Sequence, residues 1–298
     1  MNPTISIAAH EPAEFSTTRR WVIGTQKFFK EKPLGAAGLV VMIVFLLMAA
    51  LANWISPYDP LTMHYADILA PPSARYWLGT DSFGRDILTR IIYGARTAML
   101  IGYVCAFVGA TGGMLIGVAT AYFGGKLDNA VQRLLDILLS FPLIILAMAI
   151  VAVMGTGTEN LIFAITIPMI PRCARVIRSA ALSLRESPYV DAARALGFSR
   201  WRIILRHMMP NVVAPYLIML TSFMGQAILL AASLSFLGLG VQEPVPDWGL
   251  MLQGGAELYA ETAPWLPFFP GLAITISVFA FNLFGDSLRD VLDPKLRV

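Results

Sequence analysis

Cysteine and histidine, the side chains that most often act as nucleophiles or metal ligands, are few and widely separated in this sequence. The two cysteines, Cys105 and Cys173, lie in or beside apolar segments, and no C-x-x-C pair occurs. The three histidines, His10, His64 and His207, are far apart along the chain. Metal sites and disulfide frameworks show themselves by close or regular spacing of such residues. We therefore expect no disulfide, no metal site and no bound cofactor.

No phosphate-binding loop of the form G-x-x-x-x-G-K-[ST] occurs either. The nearest approach, Gly125-Lys126, is followed by Leu127 and lacks the earlier glycine. Without that loop the chain lacks the usual backbone cradle for nucleotide phosphates. No nucleophile is paired with a base, and the net charge is only +3. We expect neither an enzyme nor a nucleic-acid partner.

The segment 187–211, SPYVDAARALGFSRWRIILRHMMPN, carries the strongest signals of local structure. Ser187 followed by proline is a good helix start, because a hydroxyl can cap the first amides and proline suits the first helical position. Gly197 can adopt the left-handed conformation that ends a helix. Ser199 can cap a second helix reaching about residue 207, and Pro210 precedes the next apolar run. We expect two short helices at an angle, and call this segment the elbow.

Lipid must form part of the solvent around this chain. Of its 298 residues, 57% are hydrophobic and 14% charged, with mean hydropathy +0.67, whereas soluble domains average about 25% charged. A spanning helix needs about 20 predominantly apolar residues. We expect an all-α membrane protein with six spans, namely 34–55, one between 96 and 126, 137–158, one entering at about 160, 211–237 and 262–285.

The fourth span is interrupted and then becomes basic. It contains Pro168 and Pro171, and Arg172, Arg175 and Arg178 follow at spacing i, i+3, i+6. That spacing places the three arginines on one side of a helix. We expect a span that emerges as a basic helical extension, whose long side chains reach the membrane interface.

Lysine and arginine are distributed unequally between the two sides. With the N-terminus inside, the inner segments hold eighteen of the 22 Lys and Arg residues and the outer segments four. Positive residues concentrate on the cytoplasmic side, so we expect a multi-pass inner-membrane protein with both termini cytoplasmic. The expected division is a cytoplasmic segment 1–33, a first transmembrane helix 34–55, a periplasmic loop 56–95, a five-helix core 96–288 with a cytoplasmic loop 180–210, and a cytoplasmic tail 289–298.

The elbow resembles the EAA loop of binding-protein-dependent ABC importer permeases. In that family the loop docks into a groove on the ATPase subunit. The resemblance implies that coupling to the ATPase rests on Asp191, Ala192, Ala193, Gly197 and Pro210. Asp191 stands where the family usually has Glu, which keeps the charge with a shorter reach.

Further motifs resemble the C-type subunit of the dipeptide and oligopeptide permease group. They include Trp77 to Asp81 followed by Gly84 to Asp86, Tyr58 to Pro60, Ser235 to Gly240, Trp248-Gly249, and a tail from Asn282 to Pro294. Their order and spacing extend over nearly the whole chain. The resemblance implies a type I ABC importer permease fold and a subunit that translocates dipeptides, oligopeptides or similar small solutes.

The resemblance also implies the partners. These are a second homologous permease subunit, two cytoplasmic ATPase subunits that hydrolyse ATP, and a periplasmic or extracellular solute-binding protein, with membrane lipid around them. An ion-gradient-driven secondary transporter is the alternative, and it needs ionisable residues near mid-membrane. Asp136 and Asp286 lie near the ends of predicted spans, which favours the importer.

Interrupted spans point to the solute path, because free backbone inside a bilayer is tolerated only beside protein or a water-filled cavity. The candidates for this path are Asp136, Pro142, Thr166, Gln226 and Asn282. Each polar candidate has an alternative role in helix–helix hydrogen bonding, and Asp136 in particular has Arg133 three positions earlier as a partner.

Three other features leave alternatives open. Gly109, Gly113 and Gly117 allow close helix packing, either within this subunit or across a dimer. The acidic loop 241–263 either docks the solute-binding protein or is an ordinary solvated loop. Arg85 and Asp86 should fix the local structure of the first outer loop, where Arg90 and Asp81 are also available as partners.

Overall fold

The computed structural model describes residues 29–292. The α-helices in this range are α1 (Pro33–Ala50), α2 (Ala52–Ile55), α3 (Ile87–Phe123), α4 (Gly125–Leu139), α5 (Leu143–Met154), α6 (Thr158–Arg185), α7 (Pro188–Ala195), α8 (Arg200–Ile203), α9 (Val213–Phe236), α10 (Trp248–Leu258) and α11 (Trp265–Leu292). Most of the two predicted terminal segments, residues 1–28 and 293–298, lies outside the described range.

Five helical stretches are long and apolar enough to cross a membrane. They are α1, α3, α6, the continuous stretch Arg200–Phe236 that contains α8 and α9, and α11. A sixth span results if α4 and α5, which meet at 91°, are counted together. The prediction of an all-α membrane protein is therefore confirmed, with its sixth span present only as a bent pair.

The third predicted span, 137–158, was wrong as a single straight helix. The chain breaks between Leu139 and Leu143, because Pro142 has no amide hydrogen and disfavours helix in the residue before it. The part after the break, α5, has 12 residues and is about 18 Å long at 1.5 Å per residue. The part before it, α4, is amphipathic and buries Asp128 and Leu135.

The second span starts earlier than the sequence indicated. Helix α3 begins at Ile87 rather than near Arg96, because Asp86 caps it. Its carboxylate accepts hydrogen bonds from the amide and the hydroxyl of Thr89, at 2.8 and 2.7 Å. The charged residue Arg90 lies inside the first turn of this helix, so a search for uncharged runs placed the boundary too late.

Helices α3 and α6 form the centre of the fold and run parallel. The glycines of α3 lie opposite the residues of α6 with the same four-residue spacing, Gly109 against Met169, Gly113 against Cys173 and Gly117 against Ile177. A Cβ atom on Gly113 would lie 2.4 Å from the Cβ atom of Cys173. The glycine motif therefore serves packing inside this chain, which answers the question left open by the sequence.

Helix α6 is continuous from Thr158 to Arg185 and includes both of its prolines. The predicted basic extension is confirmed as the last turns of the same helix. The first helix, α1, packs closely along the last helix, α11. A Cβ atom on Gly38 would lie only 2.5 Å from the carbonyl oxygen of Ala280. The ion pair between Lys32 and Asp290, at 2.7 Å, joins the same two helices at one end.

Candidate functional site

The first elbow helix, α7, ends in a Schellman motif. Gly197 has a φ of +76°, and its amide donates to the carbonyl of Arg194 at 2.9 Å. The amide of Phe198 donates to the carbonyl of Ala193 at 3.1 Å. This pair of hydrogen bonds is the one that a left-handed glycine makes possible, so the predicted helix stop is confirmed.

The prediction that the hydroxyl of Ser187 caps the first amides of α7 was wrong. Ser187 precedes α7, but its hydroxyl donates backward to the carbonyl of Leu184 in the last turn of α6. The carbonyls that end a helix lack partners inside the helix, and the chain passes from α6 into α7 within a few residues. The cap at Ser199 does form, because its hydroxyl accepts from the amide of Arg202 at 3.4 Å.

The second elbow helix is not separate from the following span, contrary to the prediction. Helix α8 passes through a π-helical turn, Ile204–Met208, and a 3₁₀ turn, Met209–Val212, directly into α9. Pro210 lies in the 3₁₀ turn and cannot donate a hydrogen bond, so the backbone pattern must change there. The elbow is thus one short helix, α7, attached to the bent beginning of α9.

The backbone carbonyl of His207 connects α7 to this bend through hydrogen bonds. It accepts a hydrogen bond from the side-chain amide of Asn211 at 2.7 Å and one from the hydroxyl of Tyr189 at 3.4 Å. The imidazole of His207 stacks on the ring of Phe198 with 5.9 Å between centroids. These contacts hold α7 and the start of α9 in a fixed relation.

The five residues assigned to coupling lie together on the elbow. Asp191, Ala192 and Gly197 are exposed, Ala193 is buried under α7, and Pro210 is exposed at the bend. Asp191 forms an ion pair with Arg194 at 3.0 Å.

Large apolar side chains are exposed beside them. Leu196 is 74% exposed, Trp201 66% and Leu205 57%. An exposed apolar surface with charged neighbours is typical of a protein–protein contact.

The elbow also contacts the far end of α3. Trp201 packs edge-to-face against Phe123 with 6.3 Å between ring centroids. The guanidinium of Arg194 lies 5.7 Å from the ring centroid of Tyr122. Arg185, at the end of α6, donates to the carbonyl of Ala121 at 3.1 Å. The elbow therefore touches three spans, α3, α6 and α9.

The arginines of α6 each have a partner on another helix. Arg178 binds Asp128 of α4 in a fork of two hydrogen bonds, at 2.7 and 2.5 Å. Arg175 pairs with Asp136 of α4, and this pairing corrects the predicted partnership of Asp136 with Arg133.

Arg172 donates to the side-chain oxygen of Gln226 on α9 at 3.4 Å. The stripe of three arginines thus connects α6 to α4 and to α9, rather than only reaching the interface.

The path candidates are not brought together in one cavity within the described part of the chain. Asn282 lines a cavity of about 80 Å³ with Ser222, Asp286 and Arg289, and Ser222 accepts a hydrogen bond from Gln226 at 3.1 Å. Thr166 is 4% exposed and lies where α6 packs on α3. Asp136 lies in the last turn of α4, and Pro142 lies in the break between α4 and α5.

Comparison with known proteins identifies the family. A profile described as "Binding-protein-dependent transport system inner membrane component" matches residues 113–298, and one described as "N-terminal TM domain of oligopeptide transport permease C" matches residues 26–72. The chain belongs to the binding-protein-dependent transport permeases. It is a permease subunit of an ABC importer and not an enzyme, and it works with an ATPase subunit and a substrate-binding protein.

Curated relatives of this permease match most of its length. A putative peptide transport system permease protein of Brucella suis biovar 1 is 46% identical over 261 residues, 88% of each chain. The dipeptide transport system permease protein of Alkalihalophilus pseudofirmus is 41% identical and covers 91% of this chain and 89% of its own. The glutathione transport system permease protein of Pectobacterium atrosepticum is 41% identical, with coverages of 91% and 90%.

Solved structures of the MetNI methionine ABC transporter in inward-facing conformations share the fold of this permease. One such chain superposes with a TM-score of 0.56 at 19% identity, covering 68% of this chain and 96% of that chain. The type I importer permease fold, predicted from the sequence motifs, is therefore confirmed.

At the end of α3 opposite the elbow lies a cluster of charges that we call the arginine cluster: Asp81, Arg85, Arg90 and Glu243. Arg85 binds Asp81 at 2.7 Å and Glu243 at 2.8 Å. Arg90 binds Glu243 at 3.3 Å. Arg85 pairs in the first outer loop with Asp81, one of the partners that the sequence made available to it. Its pairing with Glu243, which lies 158 residues later, is not indicated by the sequence.

Near the arginine cluster, the pKa values of two carboxyl groups are shifted in opposite directions. Burial opposes ionisation of Glu243, yet the hydrogen bonds and charges of Arg85 and Arg90 outweigh it and hold its pKa below the ordinary value. Burial raises the pKa of Asp247, although that carboxylate accepts the amide of Leu250 at 3.0 Å as the cap of α10. Asp247 is 4% exposed, whereas the side chain of Glu243 is 45% exposed, so the acidic loop 241–263 is not solvated throughout.

Proposed function

We propose that this chain translocates dipeptides, oligopeptides or similar small solutes across the inner membrane as one of two homologous permease subunits. The relatives are named as peptide, dipeptide and glutathione permease proteins, which supports small peptidic solutes. The observation that carries the proposal is the elbow, because it combines an exposed docking surface with contacts to three spans.

The elbow couples the ATPase to the spans. Asp191, Ala192, Ala193 and Gly197 shape the surface that meets the ATPase, and Pro210 sets the bend that leads into α9. Small residues let another backbone approach closely, and the Schellman motif keeps α7 rigid. Because the elbow touches α3, α6 and α9, a displacement at this surface changes the relative positions of all three helices. ATP binding then biases the choice between two packings of the same bundle.

The orientation places the elbow in the cytosol. Eighteen of the 22 Lys and Arg residues then lie on the cytoplasmic side, as positive residues generally do. Both termini are cytoplasmic, and the segment between α2 and α3 is periplasmic. The exposed apolar side chains of α1, among them Val40, Val44 and Leu47, contact lipid.

The solute path follows the interrupted helices. Asp136 precedes the break between α4 and α5 and Pro142 lies in it. Gln226 and Asn282 lie on α9 and α11 near Ser222. Thr166, buried against α3 in this conformation, joins the path when the bundle opens. A path between α4–α5, α9 and α11 uses the places where helix packing is least continuous.

Copurification with the ATPase tests the coupling surface. Asp191→Lys reverses a charge that is 63% exposed on the elbow, and we expect a loss of ATPase binding of roughly tenfold or more, as for a disrupted interface charge. Asp136→Lys is the matched control, because Asp136 is also paired with an arginine and 54% exposed but lies outside the elbow. Normal ATPase binding by Asp191→Lys would show that the docking surface is assigned wrongly.

Cysteine labelling tests the orientation. In a background with both buried native cysteines replaced, Leu196→Cys should react with an impermeant maleimide only from the cytoplasmic side, and Tyr65→Cys only from the periplasmic side. Both side chains are more than 70% exposed, at 74% and 73%. The reverse pattern of labelling would invert the proposed topology.

A further inference from the structure

A single carboxylate is held between two guanidinium groups in the arginine cluster. Arg85 donates to both oxygens of Glu243, at 2.8 and 3.1 Å. Arg90 reaches the same two oxygens from its Nη2 atom, at 3.3 and 3.5 Å. The fork of Arg85 and the shared donor of Arg90 around one carboxylate form a binding geometry for carboxylates in general.

The two arginines are the fixed part of this arrangement and the carboxylate is the exposed part. The side chains of Arg85 and Arg90 are 5% and 1% exposed, whereas that of Glu243 is 45% exposed. The Nε atom of Arg90 is buried and has no hydrogen-bond partner among residues 29–292. Its nearest carboxylate oxygen, on Asp81, is 3.8 Å away. The Nη1 atom of Arg90 donates to the carbonyl of Pro60 at 3.4 Å, so the unused donor of this arginine is its Nε–H.

A cavity of about 70 Å³ adjoins this carboxylate. Its charged wall is made by Asp81, Arg85, Arg90 and Glu243, and its apolar wall includes Met251 and Leu266. The cavity gives a second carboxylate room beside the guanidinium groups once Glu243 has moved away, because the two arginines are only 5% and 1% exposed while Glu243 is in place.

We propose that Arg85 and Arg90 form a carboxylate-exchange site on the outer face, where an acidic side chain of the docked substrate-binding protein replaces Glu243. Removing Glu243 alone would leave two buried cations with Asp81 as their remaining carboxylate partner, which is unfavourable because one buried charge is then uncompensated. Replacing it by another carboxylate keeps the number of charges at the site unchanged. The site therefore permits release of Glu243 only when a partner supplies the substitute.

Release of Glu243 has a structural consequence at the other end of the bundle. Glu243 lies between α9 and α10, while Arg85 and Arg90 lie at the beginning of α3. The opposite ends of α3 and α9 meet at the elbow. Exchange at the arginine cluster thus removes one of the links between the outer ends of α9 and α3, while the hydrogen bonds from Thr97 to Pro246 and from Trp248 to Ile91 remain. Docking outside then changes the restraint on the helix pair that the ATPase contacts inside.

The exchange is tested by the affinity of the permease complex for its substrate-binding protein. This inference rests on the proposed function and orientation. The complete complex in nanodiscs is titrated with its solute-loaded substrate-binding protein. Glu243→Gln removes most of the internal competition, so we expect binding tighter by about tenfold, the scale of effects from interfacial charge pairs. Glu257→Gln, in helix α10 nearby, has only a 3.4 Å hydrogen bond to Gln253 described for it and should leave affinity unchanged. Unchanged or weakened binding by Glu243→Gln overturns the inference.

A double-mutant cycle identifies the incoming carboxylate. Acidic residues on the docking face of the substrate-binding protein are changed to amides one at a time. We expect one change to weaken binding by roughly tenfold with the unaltered permease and to have no effect with Arg85→Gln. If Arg85→Gln fails to assemble, Arg85→Lys serves, since it keeps the charge and loses the fork. Absence of any such coupling overturns the inference.

Two further outcomes distinguish a failure of the proposed function from a failure of the docking inference. If the substrate-binding protein fails to bind the unaltered complex at all, the proposed function itself fails. If Glu243→Gln changes only the discrimination between a free-acid solute and its amide, the carboxylate comes from the solute and the docking inference is overturned.

Discussion

Trp201 and Phe123 pack edge-to-face, with ring centroids 6.3 Å apart and planes at 75°. Trp201 belongs to the elbow and Phe123 is the last residue of α3, so this contact joins the proposed ATPase surface to a central span. The nearby guanidinium of Arg194 lies over Tyr122. The elbow is therefore attached to α3 by aromatic and cation–π contacts, in addition to its covalent links to α6 and α9.

Phe123→Ala should uncouple the elbow from α3 without removing the docking surface. An aromatic pair contributes about 0.5–1.5 kcal/mol beyond its buried area, so we expect up to about a tenfold loss of solute uptake per ATP hydrolysed. ATPase copurification should remain normal. Phe107→Ala is the control, because Phe107 is also on α3 and 58% exposed. Equal uptake by both variants would contradict the mechanical role of this contact.

Gly113→Ala should destabilise the protein, whereas the adjacent Gly112→Ala should not. A Cβ atom on Gly113 would lie 2.4 Å from Cys173 Cβ, but on Gly112 the nearest atom is 3.5 Å away. Overpacking of this kind costs about 1–3 kcal/mol. The thermal unfolding temperatures of the two variants in the same detergent provide the comparison. A Gly113→Ala variant as stable as Gly112→Ala would refute the close packing of α3 on α6.

Two ion pairs between α4 and α6 should differ in strength. The Asp128–Arg178 pair has side-chain exposures of 11% and 27%, and the Asp136–Arg175 pair 54% and 57%. Asp128→Asn should therefore cost about 1.5–3 kcal/mol, and Asp136→Asn about 0–1 kcal/mol. Thermal unfolding of the purified variants measures both. A larger loss for Asp136→Asn would mean that α4 packs differently.

Acid should weaken the contribution of Glu243 to stability. Arg85 and Arg90 hold the pKa of Glu243 below its ordinary value of 4.5, against the effect of burial. A carboxyl whose pKa is lower in the folded state stabilises it above the ordinary value, and this contribution is lost as the pH falls through the folded-state pKa. At neutral pH the unaltered protein should unfold at a higher temperature than Glu243→Gln, and the gap should shrink below pH 4.5. A gap that stays constant would exclude this ionisation.

Much of the fold could be predicted from the sequence, because a segment that crosses a bilayer must be long, apolar and hydrogen-bonded within itself. Uncharged runs indicated α1, α6, α9 and α11 close to their observed bounds, and Gly197 indicated the end of α7. These features depend on local chemistry, which is fully present in a short stretch of sequence. The family motifs extended the same inference to the type I importer fold.

The errors arose where distant residues decide the structure. Pro142 marked an interruption, but the 91° bend depends on how α4 packs against α6. Asp136 forms its ion pair with Arg175 rather than with Arg133, because the arginine stripe of α6 lies against α4. Glu243 and Arg85 are 158 residues apart, and a single sequence carries no signal for such a pairing.

We infer that ATP hydrolysis, transmitted through the elbow, moves solute through this permease. Solute uptake into proteoliposomes that contain the reconstituted complex and its substrate-binding protein tests it most directly. We predict uptake that requires ATP, persists when ion gradients are dissipated, and stops when the ATPase subunits are omitted. Uptake driven by an ion gradient in liposomes that lack the ATPase would contradict the claim.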